Sequence, residues 1–143
     1  MGLFVQGCLP FAGNPAALRD WAKQAGLQPV ADQARAAFLH GAPGQVFDAS
    51  VAGTKLALIS SDDGICSAVT DQATTNQVSD ALEAGLTRAG LAFRLAIERD
   101  DTRVNAIHDR EYLATKDKLG WRILEATVKD DRGGEAMLTA APE

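Results

Sequence analysis

The stretch TTNQVSDALEAGLTRAGLAFRLAIE, residues 74–98, decides the fold class. Its first part reads as a helix. Thr74 followed by Gln77 is a capping-box pair, in which each side chain satisfies a backbone N–H at the helix start. Val78, Ala81, Leu82, Leu86 and Ala89 recur at helical spacing and line one face, and Gly90 supplies the stop. Gly85 lies within that face, where its missing side chain permits close approach to a sheet. At Leu91 the period changes. Leu91, Phe93, Leu95 and Ile97 fall on every second position up to Glu98, the alternation of a half-buried strand.

Working downstream, three more strands are expected. The first, Arg103 to about Ala114, is long and polar. Trp121 to Val128 follows, with Leu124, Ala126 and Val128 on one face, and Glu135 to Thr139 closes the chain. The intervening segments, Arg99 to Thr102, Lys116 to Gly120 and Asp130 to Gly134, are short turns, so the strands pair antiparallel. Working upstream, Asn14 and Pro15 are a helix start, Leu18, Trp21, Ala22 and Ala25 its apolar stripe, and Gly26 its stop. A second helix is expected from about Pro29 to His40, with Ala34, Ala37 and Phe38 inward and Gly41 as its stop. Gln45 to Ala49, Lys55 to Ser60 and Ile65 to Val69 read as strands, the last two joined by a hairpin at Ser60 to Gly64. Leu56 and Leu58 alternate with Ala57 and Ile59, so this strand is apolar on both faces and reads as central. The expectation is one α+β domain over residues 1–143. It consists of an antiparallel sheet of about six to seven strands, with two N-terminal helices and one mid-chain helix packed on one face.

Composition narrows the function classes. With 143 residues, 46% of them hydrophobic, the chain can bury a core without a metal or a dense disulfide framework. The net charge of -5 repels phosphate backbones and anionic membranes, and Lys116 and Lys118 flank Asp117 rather than forming a basic run. Nucleic acid is therefore not an expected partner. No apolar stretch is long enough for a transmembrane helix. Met1 to Val5 is too short for a signal-peptide core. The chain is thus expected either to be cytoplasmic or to follow a removed signal.

Cys8 and Cys66 are the two cysteines. Their spacing fits no zinc motif. One near the start and one on an expected strand suits a long-range disulfide, which persists in oxidising compartments. Two unpaired thiols, one buried, are the bland alternative. Val5-Gln6-Gly7-Cys8 also has the outline of a lipobox end, with too short an apolar stretch before it.

His40 and His108 are the only imidazoles. His40 stands at an expected helix C-terminus, where a cation meets the helix dipole favourably. His108 lies in the polar strand. A Cys/His hydrolase would need a Cys66 thiolate, a histidine base and an orienting carboxylate, and no spacing supports that set. Asp62, Asp63, Asp100 and Asp101 lack calcium-loop spacing, and adjacent aspartates in turns bond to nearby amides. Gly41-Ala42-Pro43-Gly44 is followed by no expected helix and contains no lysine, so it reads as a turn rather than a phosphate loop. No catalytic residue, metal site or cofactor is assigned. The polar strand is the oddity. Arg103, Asn105, His108, Arg110 and Tyr112, with Arg122 from the next strand, form a candidate partner-binding surface, able to make charge-assisted hydrogen bonds. The bland reading is a solvated sheet face.

Phe38 to Phe47, followed by Leu56-Ala57-Leu58 and Gly64-Ile65-Cys66, with Cys8 upstream, resembles uncharacterised small exported (periplasmic) proteins of Gram-negative bacteria. The resemblance covers about the first half of the chain. It implies a periplasmic setting and a Cys8–Cys66 pair, and it carries over no catalytic residues. The functional expectation is a non-enzymatic periplasmic or secreted protein that binds a protein partner, as an immunity-type protein or an accessory subunit of an envelope assembly. If the cysteines are unpaired, the cytoplasm is expected instead. The alternatives are a hydrolase using Cys66 and a histidine, and a small-ligand-binding domain with its pocket between helix and sheet.

Overall fold

The helix at the centre of the sequence forms as its caps dictate. Thr74 Oγ1 accepts from the Gln77 N–H at 3.1 Å, and Gln77 Oε1 accepts from the Thr74 N–H at 2.9 Å. Asn14 likewise caps its helix by accepting from the Ala17 N–H at 3.2 Å. The computed structural model describes residues 2–51, 53–100, 106–130 and 132–143. Its helices are a π-helical turn at Phe4–Cys8 continuing into α1 (Leu9–Phe11), then α2 (Pro15–Gln24), α3 (Asp32–Leu39) and α4 (Thr75–Arg88). The strands are β1 (Gln28–Pro29), β2 (Gly44–Asp48), β3 (Leu56–Ser61), β4 (Cys66–Ala73), β5 (Ala92–Asp100), β6 (Ile107–Lys116), β7 (Leu119–Val128) and β8 (Gly134–Pro142).

The fold is α+β. All eight strands belong to one antiparallel sheet, in the order β1-β2-β3-β4-β8-β7-β6-β5. Two meanders, β1 to β4 and β5 to β8, meet where β4 pairs with β8. Between them α4 carries the chain from the middle of the sheet to its far edge. Asp117 and Lys118 form a two-residue turn between β6 and β7, with Asp117 at φ 55°.

The main core lies between one sheet face and the N-terminal helical segment, α2 and α4. Phe4, Leu9, Leu18, Leu82 and Leu86 come from the helices, and Leu58, Ala68, Tyr112, Ile123 and Leu138 from the strands. Cys8 and Cys66 are disulfide-bonded across this core, both fully buried. The bridge ties the N-terminal segment to β4. Gly64 closes the β3–β4 hairpin at φ 95°, and a Cβ there would stand 2.9 Å from Gly13 Cα. The contact brings the α1–α2 turn onto the hairpin, where the Gly13 N–H donates to Gly64 O at 2.9 Å. Arg19 of α2 fastens the same corner, donating to Ser60 O at 3.0 Å and to Asp62 Oδ1 at 2.6 Å.

Four expectations are corrected. The sheet has eight strands, because Gln28–Pro29 adds a short edge strand where a helix start was expected; Pro29, lacking an N–H, suits a sheet edge. Residues 2–11 are largely helical and Phe4 is fully buried, although Gly2, Gly7 and Pro10 obscure the helical period. Gly85 makes its close approach to Val5, not to the sheet, since a Cβ there would meet Val5 Cγ2 at 2.9 Å. Finally, α3 lies on the opposite face from the other helices. Its Leu39 packs with Val46, Ala57, Ile59 and Val69 in a second, smaller core, while Ala37 and Phe38 are exposed. β3 is thus covered on both sides, as its two apolar faces require.

Replacing both Cys8 and Cys66 with alanine should lower the unfolding free energy by about 4 kcal/mol, the loop-closure contribution for a span of this length. A urea melt showing an unchanged midpoint would refute that role for the bridge. Thr74→Ala should cost about 1 kcal/mol through loss of its cap, read in the same melt.

Candidate functional site

A bulge in β5 builds the polar centre of the molecule. Leu95 pairs with Tyr112, yet Ile97 pairs with Glu111, so the register shifts by one residue at Ala96. Side chains beyond the shift change face. Ile97 therefore leaves the face that Phe93 and Leu95 share, and Glu98 and Asp100 join the face of His108 and Arg110. His108 Nδ1 lies 3.0 Å from Asp100 Oδ1 and its Nε2 lies 3.4 Å from Glu98 Oε2. Arg110 Nε donates to Glu98 Oε2. Lys129 Nζ lies 3.2 Å from Asp100 Oδ2.

The network continues inward to α4. Arg110 Nη1 donates to Ser79 Oγ at 2.6 Å, and the Ser79 hydroxyl donates to the Glu125 carboxylate, 2.8 Å from its nearer oxygen. Glu125 is 1% exposed. The Tyr112 hydroxyl donates to Glu83 Oε2 at 3.0 Å, and the hydroxyls of Thr75 and Thr127 lie 2.6 Å apart. Among the described residues no buried side-chain nitrogen or oxygen lacks a partner. The polar seam thus satisfies the groups it removes from water, as burial demands.

Its electrostatics follow from position. The hydrogen bond to Asp100, then that to Glu98, raises the His108 pKa against an opposing cost of burial. The same bonds hold Glu98 and Asp100 below the usual carboxylate range, with Arg110 assisting at Glu98 and Lys129 at Asp100. Burial pushes the Glu125 carboxyl up despite Ser79 and Arg110. Burial also pushes the Tyr112 hydroxyl up to about 12. Chemically, the arrangement binds helix to sheet. Both ring nitrogens of His108 face carboxylates, and the Ser79 hydroxyl is engaged by Glu125 and Arg110. Cys66, in its disulfide, offers no thiolate. Among the described residues no group of three or more His, Cys, Asp or Glu is arranged to hold a metal ion.

The residues read from the sequence as a partner-binding surface are divided by strand alternation. His108, Arg110 and Tyr112 face the helices and belong to the seam, with Tyr112 buried. Arg122, paired in register with Leu113, is on the opposite face, 3.0 Å from Glu111 Oε1 and 3.5 Å from Glu143 Oε1. Arg103 and Asn105 lie outside the described residues, as does Asp101. His40 is the left-handed C-cap of α3, at φ 51°.

Sequence reasoning missed the uncovered half of the second sheet face. There Ile97, Leu124 and Met137 are 41%, 45% and 38% exposed. Cross-strand pairing sets Ile97, Glu111, Leu124 and Thr139 in one row, and Arg99, Asp109, Ala126 and Met137 in the next. Between the rows lies a shallow hollow of about 300 Å³. A signal was present: Leu124, Ala126 and Val128 share one face of β7. The alternate positions, Trp121, Ile123, Glu125 and Thr127, are the ones that turn toward the helices.

The seam predicts a pH dependence. His108 titrates higher in the folded protein, so its contribution is complete below its unfolded value of about 6.5 and is lost as the pH rises through the raised folded value. The stability advantage of wild type over His108→Gln should therefore shrink between pH 6 and the alkaline side of that value. Constant separation of the two urea midpoints across this window would contradict it. Glu125 has the raised pKa of a buried acid, so Glu125→Gln should gain stability relative to wild type as the pH rises above about 4.5. Thermal melts at pH 4 and pH 8 measure the difference.

No family model matches the chain, and comparison with curated proteins and with solved structures gives no match, so the functional reading rests on the geometry.

Proposed function

We propose that the protein is a non-enzymatic binding module of an oxidising compartment, the periplasm, holding a protein partner on the uncovered face of β5 to β8. The observation that supports this most is the group of Ile97, Leu124 and Met137, exposed large apolar side chains on two adjacent cross-strand rows of β5, β7 and β8. Apolar surface rimmed by polar groups marks association sites. Here the rim holds Arg99, Asp109, Glu111 and Arg122, charges of both signs. The fitting partner therefore offers apolar side chains for the hollow and a mixed-charge border around them.

The disulfide supports the compartment, since such bonds persist where thiols are not kept reduced. No described helix is long and apolar enough to cross a membrane. An immunity-type protein and an accessory subunit of an envelope assembly are the two forms this reading takes. The binding face differs from the one the polar strand suggested, because most of that strand's large polar side chains are consumed in the seam.

The test is a photo-crosslinking amino acid in place of Leu124, and separately in place of the exposed Lys23 on α2, in cells of the source organism. The expected result is a discrete protein adduct from position 124 that is lost when Met137→Asp is added and is absent from position 23. Identical adducts from both positions, or none from 124, would overturn the proposal.

A further inference from the structure

The covered half of the second sheet face contains a cavity. Helix α3 does not lie flush on the strands: of its eight residues only Leu39 is buried. Beside Leu39 an opening of about 240 Å³ remains, bounded by Val30, Phe38, Ala57 and Val69. Phe38 is 36% exposed and lines this space instead of filling it. The volume corresponds to about eight water-sized groups, enough for a ring with a short chain. A lipid tail or a peptide segment needs more room.

The polar groups around the cavity are strongly one-sided. Asp48 from β2, Asp71 from β4 and Glu135 from β8 stand against the single ammonium of Lys55. None of the three carboxylates forms an ion pair with a described residue. Asp48 is held in its ionised form by its hydrogen bonds with Ser50, whose N–H donates to Asp48 Oδ1 at 2.9 Å. An apolar floor beneath an excess of negative charge is complementary to one kind of ligand. The carbon body gains by leaving water, and the cation meets carboxylates carried on three strands. The aromatic wall at Phe38 favours the same sign of charge.

We propose that this cavity binds a small organic monocation, an amine or quaternary ammonium with a compact apolar body, its carbon resting on Ala57 and Val69 and its charge toward Asp48, Asp71 and Glu135. The site adjoins the partner-binding face proposed above, since Val69 pairs with Met137, but it does not depend on that proposal.

The test is a titration of the oxidised 143-residue chain, followed by calorimetry and by the amide signals of Ala57 and Val69. The probes are phenethylamine and its anionic counterpart 3-phenylpropanoate. The amine is expected to saturate, shifting both signals, with the anion at least tenfold weaker. Asp71→Asn combined with Glu135→Gln changes two exposed side chains and should weaken the amine at least fivefold. Asp20→Asn, which removes one carboxylate charge from the exposed face of α2, should leave it unaltered. Val69→Phe should fill the cavity and abolish binding. Equal affinity for the two probes, or an amine affinity untouched by the double substitution, would overturn the proposal even if Val69→Phe fails to fold.

Discussion

The pairing of β4 with β8 holds the molecule together. It joins two meanders that would otherwise be separate sheets, through the register Cys66 to Ala140, Ala68 to Leu138 and Thr70 to Ala136. The strands are distant in sequence, so the pairing carries a large loop-closure cost that local contacts cannot offset. The composition of this junction suits its position. Ala68, Ala136 and Ala140 are small and buried on the helix side, where the sheet must accept the N-terminal segment closely. The Cys8–Cys66 bridge anchors that segment to β4 itself. Covalent and hydrogen-bonded constraints thus converge on the same strand, and the helices of the main core are positioned by what happens there.

A second constraint, the β5 bulge, determines how polar residues are distributed. Without it Ile97 would continue the apolar face begun by Phe93 and Leu95, and Glu98 and Asp100 would fall on the open side. His108 and Arg110, half-buried on the helix side, would then lack their carboxylate partners, and their charged forms would be disfavoured. One inserted residue therefore exchanges two effects. It supplies counterions to the seam and sends an isoleucine to the uncovered face. The polarity of the seam and the apolarity of the opposite face have a common origin.

This explains which features could be read from the sequence. The caps at Asn14 and Thr74, the glycine at the β3–β4 hairpin and the antiparallel order after α4 are local, and local chemistry encodes them. The side of the sheet on which α3 lies is not local: Ala34, Ala37 and Phe38 give a period but no information about which face has a vacancy. The bulge is also silent, because Leu91 to Ile97 alternates perfectly as written. The density of charge in β6 was legible, and its use was not. Alternation sends His108, Arg110 and Tyr112 inward and Glu111 outward, and only the partners on β5, β7 and α4 decide whether inward means buried and paired. Arg122 could not be assigned with that group once its register opposite Leu113 was known. The candidate face at Leu124 was visible as a stripe but lacked the one fact needed, that the other stripe of β7 faces the helices.

The sheet edges bear on how such a face can be used. An exposed edge strand invites pairing with another chain. Here β1 is two residues long and ends in Pro29. The other edge, β5, is interrupted by its bulge and carries Arg94, Glu98, Arg99 and Asp100. Both edges are thus poor templates for strand addition, and the net charge of -5 further opposes self-association. Ile97, Leu124 and Met137 instead expose apolar surface on a face, bordered by side chains with directional chemistry. Association through that face must match shape and charge, whereas association through an edge would need only a free backbone. On the proposed reading, blunted edges and an apolar face make such a molecule selective in what it holds.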